Sequence, residues 1–386
     1  MTTLLLAIIY LSFISLGLPD SLLGAAWPTM HLDIGVPLSW AGLLSMIIAF
    51  STIISSLMSD FLTRKLGTGV LTAVSVFVTA LALIGFATVD SFALLCVIAV
   101  PYGIGAGSID AALNNYVALH FAARHMSWLH CFWGVGASVS PYIMSWCISS
   151  GKGWEGGYFS VSVIQIVLTV IIFISLPLWK RKSAEKQDEP ANPLGIIGAI
   201  KIKGVPFILL TFFCYCALES TAGLWAASYL VNAKGIDAET AARFASLFYL
   251  GITGGRFICG FISEKLGDRK LIRLGSAIAL TGIALIALPL GVRELPLAGL
   301  VVTGFGCAPI YPSIIHSTPF SFGKENSQAI IGIQMASAYT GTTFMPPVFG
   351  LLAEKITADI FPFFLLCFAV AMVLSHEITV RKTTKA

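Results

Sequence analysis

Gly103-Ile-Gly105-Ala-Gly107-Ser-Ile-Asp110-Ala-Ala-Leu-Asn114-Asn115-Tyr116 lies inside an apolar run from about Phe92 to Leu119. An ionised Asp at the centre of a bilayer costs about 2.5–3.5 kcal/mol on insertion scales. A chain that keeps Asp110 there, with Asn114 one helical turn beyond it, is expected to line a watery cavity with that face.

The 386 residues are 57% hydrophobic and 11% charged. Soluble globular chains carry roughly 25% charged residues. This chain cannot cover its surface with polar groups, so its solvent is lipid. The net charge of +4 is spread over short loops and is not a nucleic-acid patch; no nucleic-acid partner is expected. The eight cysteines fall within apolar runs without CxxC spacing and read as small buried hydrophobes. Met1-Thr2-Thr3 lacks the basic start of a cleavable signal.

Twelve stretches have the length and polarity of membrane helices, at roughly 4–29, 39–61, 68–88, 92–119, 127–150 and 157–179, then 206–231, 240–263, 269–290, 296–317, 327–352 and 359–379. In lipid a lone segment must satisfy its own backbone, which dictates helices. With both termini placed in the cytoplasm, Arg64, Lys65, Arg124, Lys180, Lys265, Arg269, Lys270 and Arg381 fall inside. The outer face then holds only Lys152, Lys234, Arg243, Arg293 and Lys355, as the positive-inside rule requires. The polar stretch 180–205 divides the chain into bundles at 1–179 and 206–386, and reads as a cytoplasmic linker with a short surface helix near Ile196–Lys203.

The halves echo each other about 200 residues apart, the kind of internal repeat many transporters are built from. Gly103-Ile-Gly105 answers Gly304-Phe-Gly306, Gly136 with Pro141 answers Gly341 with Pro346, and Asp20 answers Glu219. The loop from Ser59 and Asp60 to Arg64, Lys65 and Gly67 answers Gly260 through Glu264 to Arg269 and Lys270.

Gly260-x3-Glu264-Lys265-x-Gly267-Asp268-Arg269-Lys270 resembles the cytoplasmic signature between the second and third helices of each half in the major facilitator superfamily. In the first half the motif is degraded: Ser56 replaces the usual Gly, and the basic pair follows Asp60 by four residues. Within the superfamily the chain resembles the fucose-permease-like branch, which includes sodium-coupled glucose transporters. The resemblance rests on Asp110-Ala-Ala-Leu-Asn114-Asn115-Tyr116, on Trp128-Leu-His130-Cys-Phe-Trp133-Gly134-Val-Gly136, and on Glu219-x5-Trp225-x3-Tyr229-Leu230. Gly255-Arg256 and Ala308-Pro309-Ile-Tyr311-Pro312 add to it. Asn115 departs from the branch, standing where proline is common. The resemblance implies an all-α polytopic membrane protein with twelve transmembrane helices in two pseudo-symmetric six-helix bundles, the major facilitator fold. It also implies a secondary active importer of sugars or similar polar solutes, usually coupled to protons.

Two carboxylates suit a coupling ion. At about 1.5 Å per residue, Asp20 lies roughly 7 Å outward of the middle of the first span, and Asp110 a similar distance inward. Against this, Asp20 can cap an interfacial bend and Asp110 can serve as an interhelical hydrogen-bond partner. Glu219 and Arg256 form either a buried ion pair or a division of labour, with Glu219 facing the cavity and Arg256 at an inner gate. His130 is a coupling candidate or a structural residue, and His316 is expected to snorkel from the end of the tenth span. Trp133, Trp225, Tyr311 and Tyr339 offer rings to the C–H faces of a sugar. Asn114, Asn115, Gln334 and Glu219 offer groups for its hydroxyls. Asp60, Arg64, Arg256, Gly260, Glu264 and Arg269 are expected to form a latch at the helix ends.

The expected mechanism is ion-linked alternating access, with the substrate near midplane among spans 1, 4 and 5 of one half and 7, 10 and 11 of the other. The partners are a small polar, sugar-like solute, H⁺ or Na⁺, and the bilayer of the cell (inner or plasma) membrane. A monomer without cofactor is expected. A proton-antiporting drug or metabolite exporter is the first alternative, but Pro141 is followed by Tyr142-Ile-Met without a glycine pair. A membrane sensor or intramembrane enzyme is the second, and the sequence offers no nucleophile–base pair. It carries no Walker A sequence and no HExxH or Cys/His cluster, so neither ATP drive nor a metal site is expected.

Overall fold

Span by span, the sequence forms helices, several of which stop at a glycine, among them Gly35, Gly67, Gly235, Gly267 and Gly323. The computed structural model describes residues 2–37, 40–183, 195–290 and 292–383. Helices α1 (Thr2–Asp20) and α2 (Leu22–Ile34) share the first span. Then come α3 (Trp40–Leu66), α4 (Thr68–Thr88), α5 (Phe92–His120), α6 (Ala123–Ser149) and α7 (Gly153–Ser183). A short α8 (Gly195–Lys201) precedes α9 (Val205–Lys234), α10 (Ala238–Leu266) and α11 (Asp268–Ala287). The tenth span is split into α12 (Glu294–Cys307) and α13 (Ile310–Phe322), followed by α14 (Ser327–Lys355) and α15 (Phe361–Thr383). Of the expected linker, residues 184–194 lie outside the described residues.

These make the twelve spans expected. Ten of them are long and apolar enough to cross a membrane on composition alone. The others, α6 and α14, are 27 and 29 residues long, and their His130, Gln328 and Gln334 dilute an otherwise apolar face. The first span extends to Ile34 instead of 29, which brings Asp20 closer to its middle. The tenth extends to Phe322 instead of 317.

The chain falls into two compact units, Met1–Tyr116 with Leu129–Pro193, and Val117–Trp128 with Leu194–Ala386. Lipid tails are as apolar as leucine, so helices associate through close packing and interhelical hydrogen bonds. Glycines set the close approaches. In the first unit a Cβ on Gly103 would strike the Ile48 carbonyl of α3, and one on Gly105 would strike Thr79 and Ser75 of α4. In the second unit the same two faces recur: Gly304 lies on the Phe248 carbonyl of α10, and Gly306 on Ala279 and Gly275 of α11. Gly136 of α6 abuts the Ile14 carbonyl of α1, as Gly341 of α14 abuts that of Phe213 in α9. The sequence echoes are thus repeated contacts, each made inside its own unit.

The turns repeat as well. Gly67 (φ 77°, ψ 153°) joins α3 to α4, and Gly267 (φ 75°, ψ 157°) joins α10 to α11. Side-chain-bearing residues rarely adopt that conformation.

Candidate functional site

The first unit breaks a helix in mid-span. Proline at 19 has no N–H to continue the ladder, and Ser21 separates α1 from α2. The freed carbonyl of Pro19 accepts from the Tyr102 hydroxyl of α5 at 2.7 Å. Ser21 Oγ donates to the carbonyl of Ala137 in α6 at 2.5 Å and lies 2.8 Å from Ser140 Oγ. That carbonyl has lost its own helical donor, because residue 141 is proline. Asp20 follows the break directly. Its Oδ2 accepts from the Trp133 indole at 2.8 Å, and its side chain remains accessible within the span. With Ser15, Thr79, Tyr102 and Gln165 it lines a small cavity with room for about one water molecule.

Asp110 sits on α5, 5% exposed, within electrostatic reach of Asp20. Asn114, fully buried, donates Nδ2 to Asp110 Oδ1 at 2.8 Å and to the Asp110 carbonyl at 3.0 Å. With its amide nitrogen so committed, Asn114 turns Oδ1 to His130 Nε2 at 3.1 Å. That contact requires His130 to carry its proton on Nε2. Carboxylate, amide and imidazole thus form one connected chain from α5 to α6, and His130 also packs edge-on against Phe13. Asn115, the residue after Asn114 on α5, is also buried.

The second unit gathers Glu219, Arg256, Tyr215 and Tyr311. Arg256 lies 3.6 Å from Glu219 Oε1 and 3.5 Å from the Tyr215 hydroxyl, with its guanidinium 6.0 Å from the Tyr311 ring centroid. Tyr215 donates to the carbonyl of Cys307 at 3.1 Å, where the tenth span breaks. Of the two arrangements expected for Glu219 and Arg256, the structure shows the pair, at the long end of ion-pair distances. Tyr311 packs at a tilt against Phe212, with ring centroids 4.5 Å apart, and donates to Met335 Sδ at 3.2 Å. Gln334 is fully buried and accepts from Thr318 at 3.1 Å. Trp225 donates to the Pro346 carbonyl at 2.9 Å and packs on Phe349, which commits it to the α9–α14 contact. Tyr339 is half-buried on α14.

At the helix ends Asp60 and Arg64 pair within one turn of α3 at 3.0 Å. Glu264 pairs with Arg124 at 3.1 Å. Gly260 lies under the indole of Trp128, which donates to the Phe257 carbonyl at 3.3 Å. Arg269 is the second residue of α11. His316 does not snorkel: α13 continues past it, leaving the ring buried with Nδ1 2.7 Å from Asp268 Oδ2.

Tyr102, Gln165, Ser21 and Tyr215 were not singled out by the sequence. The prolines at 19 and 141 announce broken ladders, but no local pattern says that Gln165 and Ser21 meet the carbonyls they free.

The sequence profile of the Major Facilitator Superfamily matches residues 9–296 and 246–376. The chain is 22% identical to "Bypass of stop codon protein 6" of Saccharomyces cerevisiae, over 95% of this chain and 80% of that protein. It is 26% identical to the glucose/mannose transporter GlcP of Bacillus subtilis, over 62% of this chain and 60% of that protein. Among solved structures, the E. coli fucose:proton symporter FucP superposes with a TM-score of 0.77 at 17% identity, covering 97% of this chain and 98% of that one.

Proposed function

This chain belongs to the Major Facilitator Superfamily, and from that membership we propose that it imports a sugar or similar small polar solute by proton symport with alternating access. The buried Asp110–Asn114–His130 chain, with Asp20 in electrostatic reach, carries the proposal. Carboxylates kept inside a membrane protein mark ion and substrate pathways. The names of two similar proteins, a glucose/mannose transporter and a fucose:proton symporter, support both the solute class and the ion.

In this reading Asp110 and Asp20 take up the coupling proton, with His130 joined to Asp110 through Asn114. The solute contacts are drawn from Asn114, Asn115, Trp133, Glu219, Trp225, Tyr311, Gln334 and Tyr339, with Glu219 also paired to Arg256. Gly260, Glu264, Arg269, Asp60 and Arg64 hold the helix ends. Binding of solute and proton together favours one conformation only by their difference in affinity between states. The protein works as a monomer in the cell's plasma or inner membrane, with both termini cytoplasmic.

The test is a counterflow screen of labelled monosaccharides in proteoliposomes, followed by uptake under an inward pH gradient and, separately, an inward Na⁺ gradient. Accumulation driven by the pH gradient is expected. Accumulation under Na⁺ alone replaces the proton, and substrate moving opposite to the proton makes the protein an exporter.

A further inference from the structure

We propose that Gln165 is a positioning residue for Asp20, its side-chain amide standing in for the backbone hydrogen bond that Pro19 cannot give. In α1 the carbonyl of Ser15 would accept from the nitrogen of residue 19, which is proline and carries no hydrogen. Ser15 is buried, so an unpaired carbonyl there would have no water to turn to. Gln165, fully buried on α7, supplies the missing donor: its Nε2 donates to that carbonyl. Its Oε1 accepts from Ser15 Oγ at 2.8 Å. An amide is the side-chain group that offers a donor and an acceptor in one plane, and both are spent on one residue of α1.

The position explains the purpose. Ser15 is one turn before Asp20, and Gln165 lines the same small cavity as Asp20. By holding α1 to α7 immediately before the break, Gln165 determines where the helix ends and how Asp20 meets Trp133. A second, independent instance lies alongside. The Ala137 carbonyl, orphaned by Pro141, accepts from Ser21, on the other side of Asp20. Both neighbouring proline defects are thus repaired by side chains from outside the broken helix, with Asp20 lying between Ser15 and Ser21 in sequence.

The proposal rests on Asp20 as a coupling carboxylate for its consequence, but its geometry can be tested without it. Full-length Q165L, P19A and the double variant are purified and compared in thermal unfolding and, after reconstitution, in the pH profile of uptake. Q165L is expected to lower the unfolding midpoint by about 3 °C or more and to displace the pH profile of accumulation. P19A restores an N–H at residue 19, so in its background Q165L should cost little, and the double variant should regain the profile of P19A alone. If Q165L fails to reach the membrane, recovery of the protein on adding P19A is expected, and failure to recover it overturns the proposal. Equal losses from Q165L in both backgrounds overturn it too, as does a cycle that couples in stability while the pH profile of Q165L stays unmoved. D20N separates this from the functional reading. Accumulation surviving in D20N sinks the role of Asp20 as coupler, whereas an additive cycle sinks Gln165 alone.

Discussion

The hydroxyl of Tyr102 donates to the carbonyl of Pro19 at 2.7 Å. In the second unit Tyr215 does the same for Cys307 at 3.1 Å. The two bonds run in opposite senses through the repeat. In the first unit the first span is broken and the fourth supplies the tyrosine; in the second the fourth is broken and the first supplies it. Each break lies next to a mid-span carboxylate, Asp20 in one unit and Glu219 in the other. An interrupted helix in lipid must find new partners for its carbonyls, and a tyrosine can bring a donor while its ring stays packed.

Tyr102→Phe and Tyr215→Phe should each therefore destabilise the protein by about 1–3 kcal/mol, the cost of leaving a buried carbonyl unpaired. The ring contacts of Tyr102 with Phe86 and of Tyr215 with Tyr311 are retained by phenylalanine. Thermal unfolding of each variant in detergent measures the loss. Midpoints equal to the parent's would mean the broken turns satisfy themselves.

A sharper contrast is available among the glycines of the first span. A Cβ on Gly17 would land on the Trp133 carbonyl, whereas one on Gly24 meets nothing within 4 Å. Gly17→Ala should cost about 1–3 kcal/mol through forced separation of α1 and α6. Gly24→Ala, in an exposed helical position, should be neutral or mildly stabilising. Comparable effects from the two would remove close α1–α6 packing from the account of the fold.

The repeat itself was legible before any coordinates, because glycine pairs such as Gly103 with Gly105 and Gly304 with Gly306 mark backbone contact, and contact is what a repeat conserves in space. Asp110 and Asn114 were legible for the same kind of reason: their spacing of four places them on one face. The breaks were less so. Pro19 and Pro309 show that a ladder is interrupted, but whether the helix kinks or ends depends on Tyr102, Gln165 and Tyr215, which lie far away in sequence. Trp225 and Gln334 look like cavity residues by type. The Trp225 indole meets the carbonyl of Pro346 and Gln334 Oε1 meets Thr318, partners that no sequence window contains, while Gln334 Nε2 is buried without a hydrogen bond.

Outside the membrane, Asp237 caps α10 by accepting from the Thr240 backbone at 2.8 Å and pairs with Arg293. The bonds from Thr240, then that from Arg293, hold its carboxyl below the usual carboxylate range. A depressed folded-state value means the contribution is complete above the unfolded carboxylate's range and is lost as pH falls through the folded one. Asp237→Ala should thus lower the unfolding midpoint at neutral pH, with the difference from the parent vanishing on acidification. Asp237→Asn keeps the cap and should retain most of the stability. A difference that persists unchanged into acid would show that the charge is irrelevant.

Gly260 leads to a prediction about rate. A Cβ there would press into the Trp128 indole and disturb its bond to Phe257. If this contact belongs to the latch, Gly260→Ala should slow uptake several-fold while solute affinity, read from counterflow competition, is kept. Lost affinity at unchanged turnover would assign Gly260 to the solute site instead.

The last prediction concerns Asp110, whose network allows its charge to be removed without removing its hydrogen bond. Asp110→Asn keeps an Oδ1 for the Asn114 amide to meet, and Asn114 can still present its own oxygen to His130. What the variant cannot do is bind and release a proton. If Asp110 carries the coupling ion, accumulation against a gradient should fail, while exchange of solute for solute persists, because exchange does not require the carboxylate to deprotonate. If Asp110 holds the solute as a carboxylate, uptake and exchange should fall together. If it only ties α5 to α6, the conservative Asn should behave as the parent and Asp110→Ala should lose stability, since Ala leaves the Asn114 amide without its side-chain acceptor in a buried place. Accumulation, counterflow and thermal unfolding measured on the same preparations separate these outcomes. An Asp110→Asn protein that still concentrates its solute would exclude this carboxylate as the coupling site.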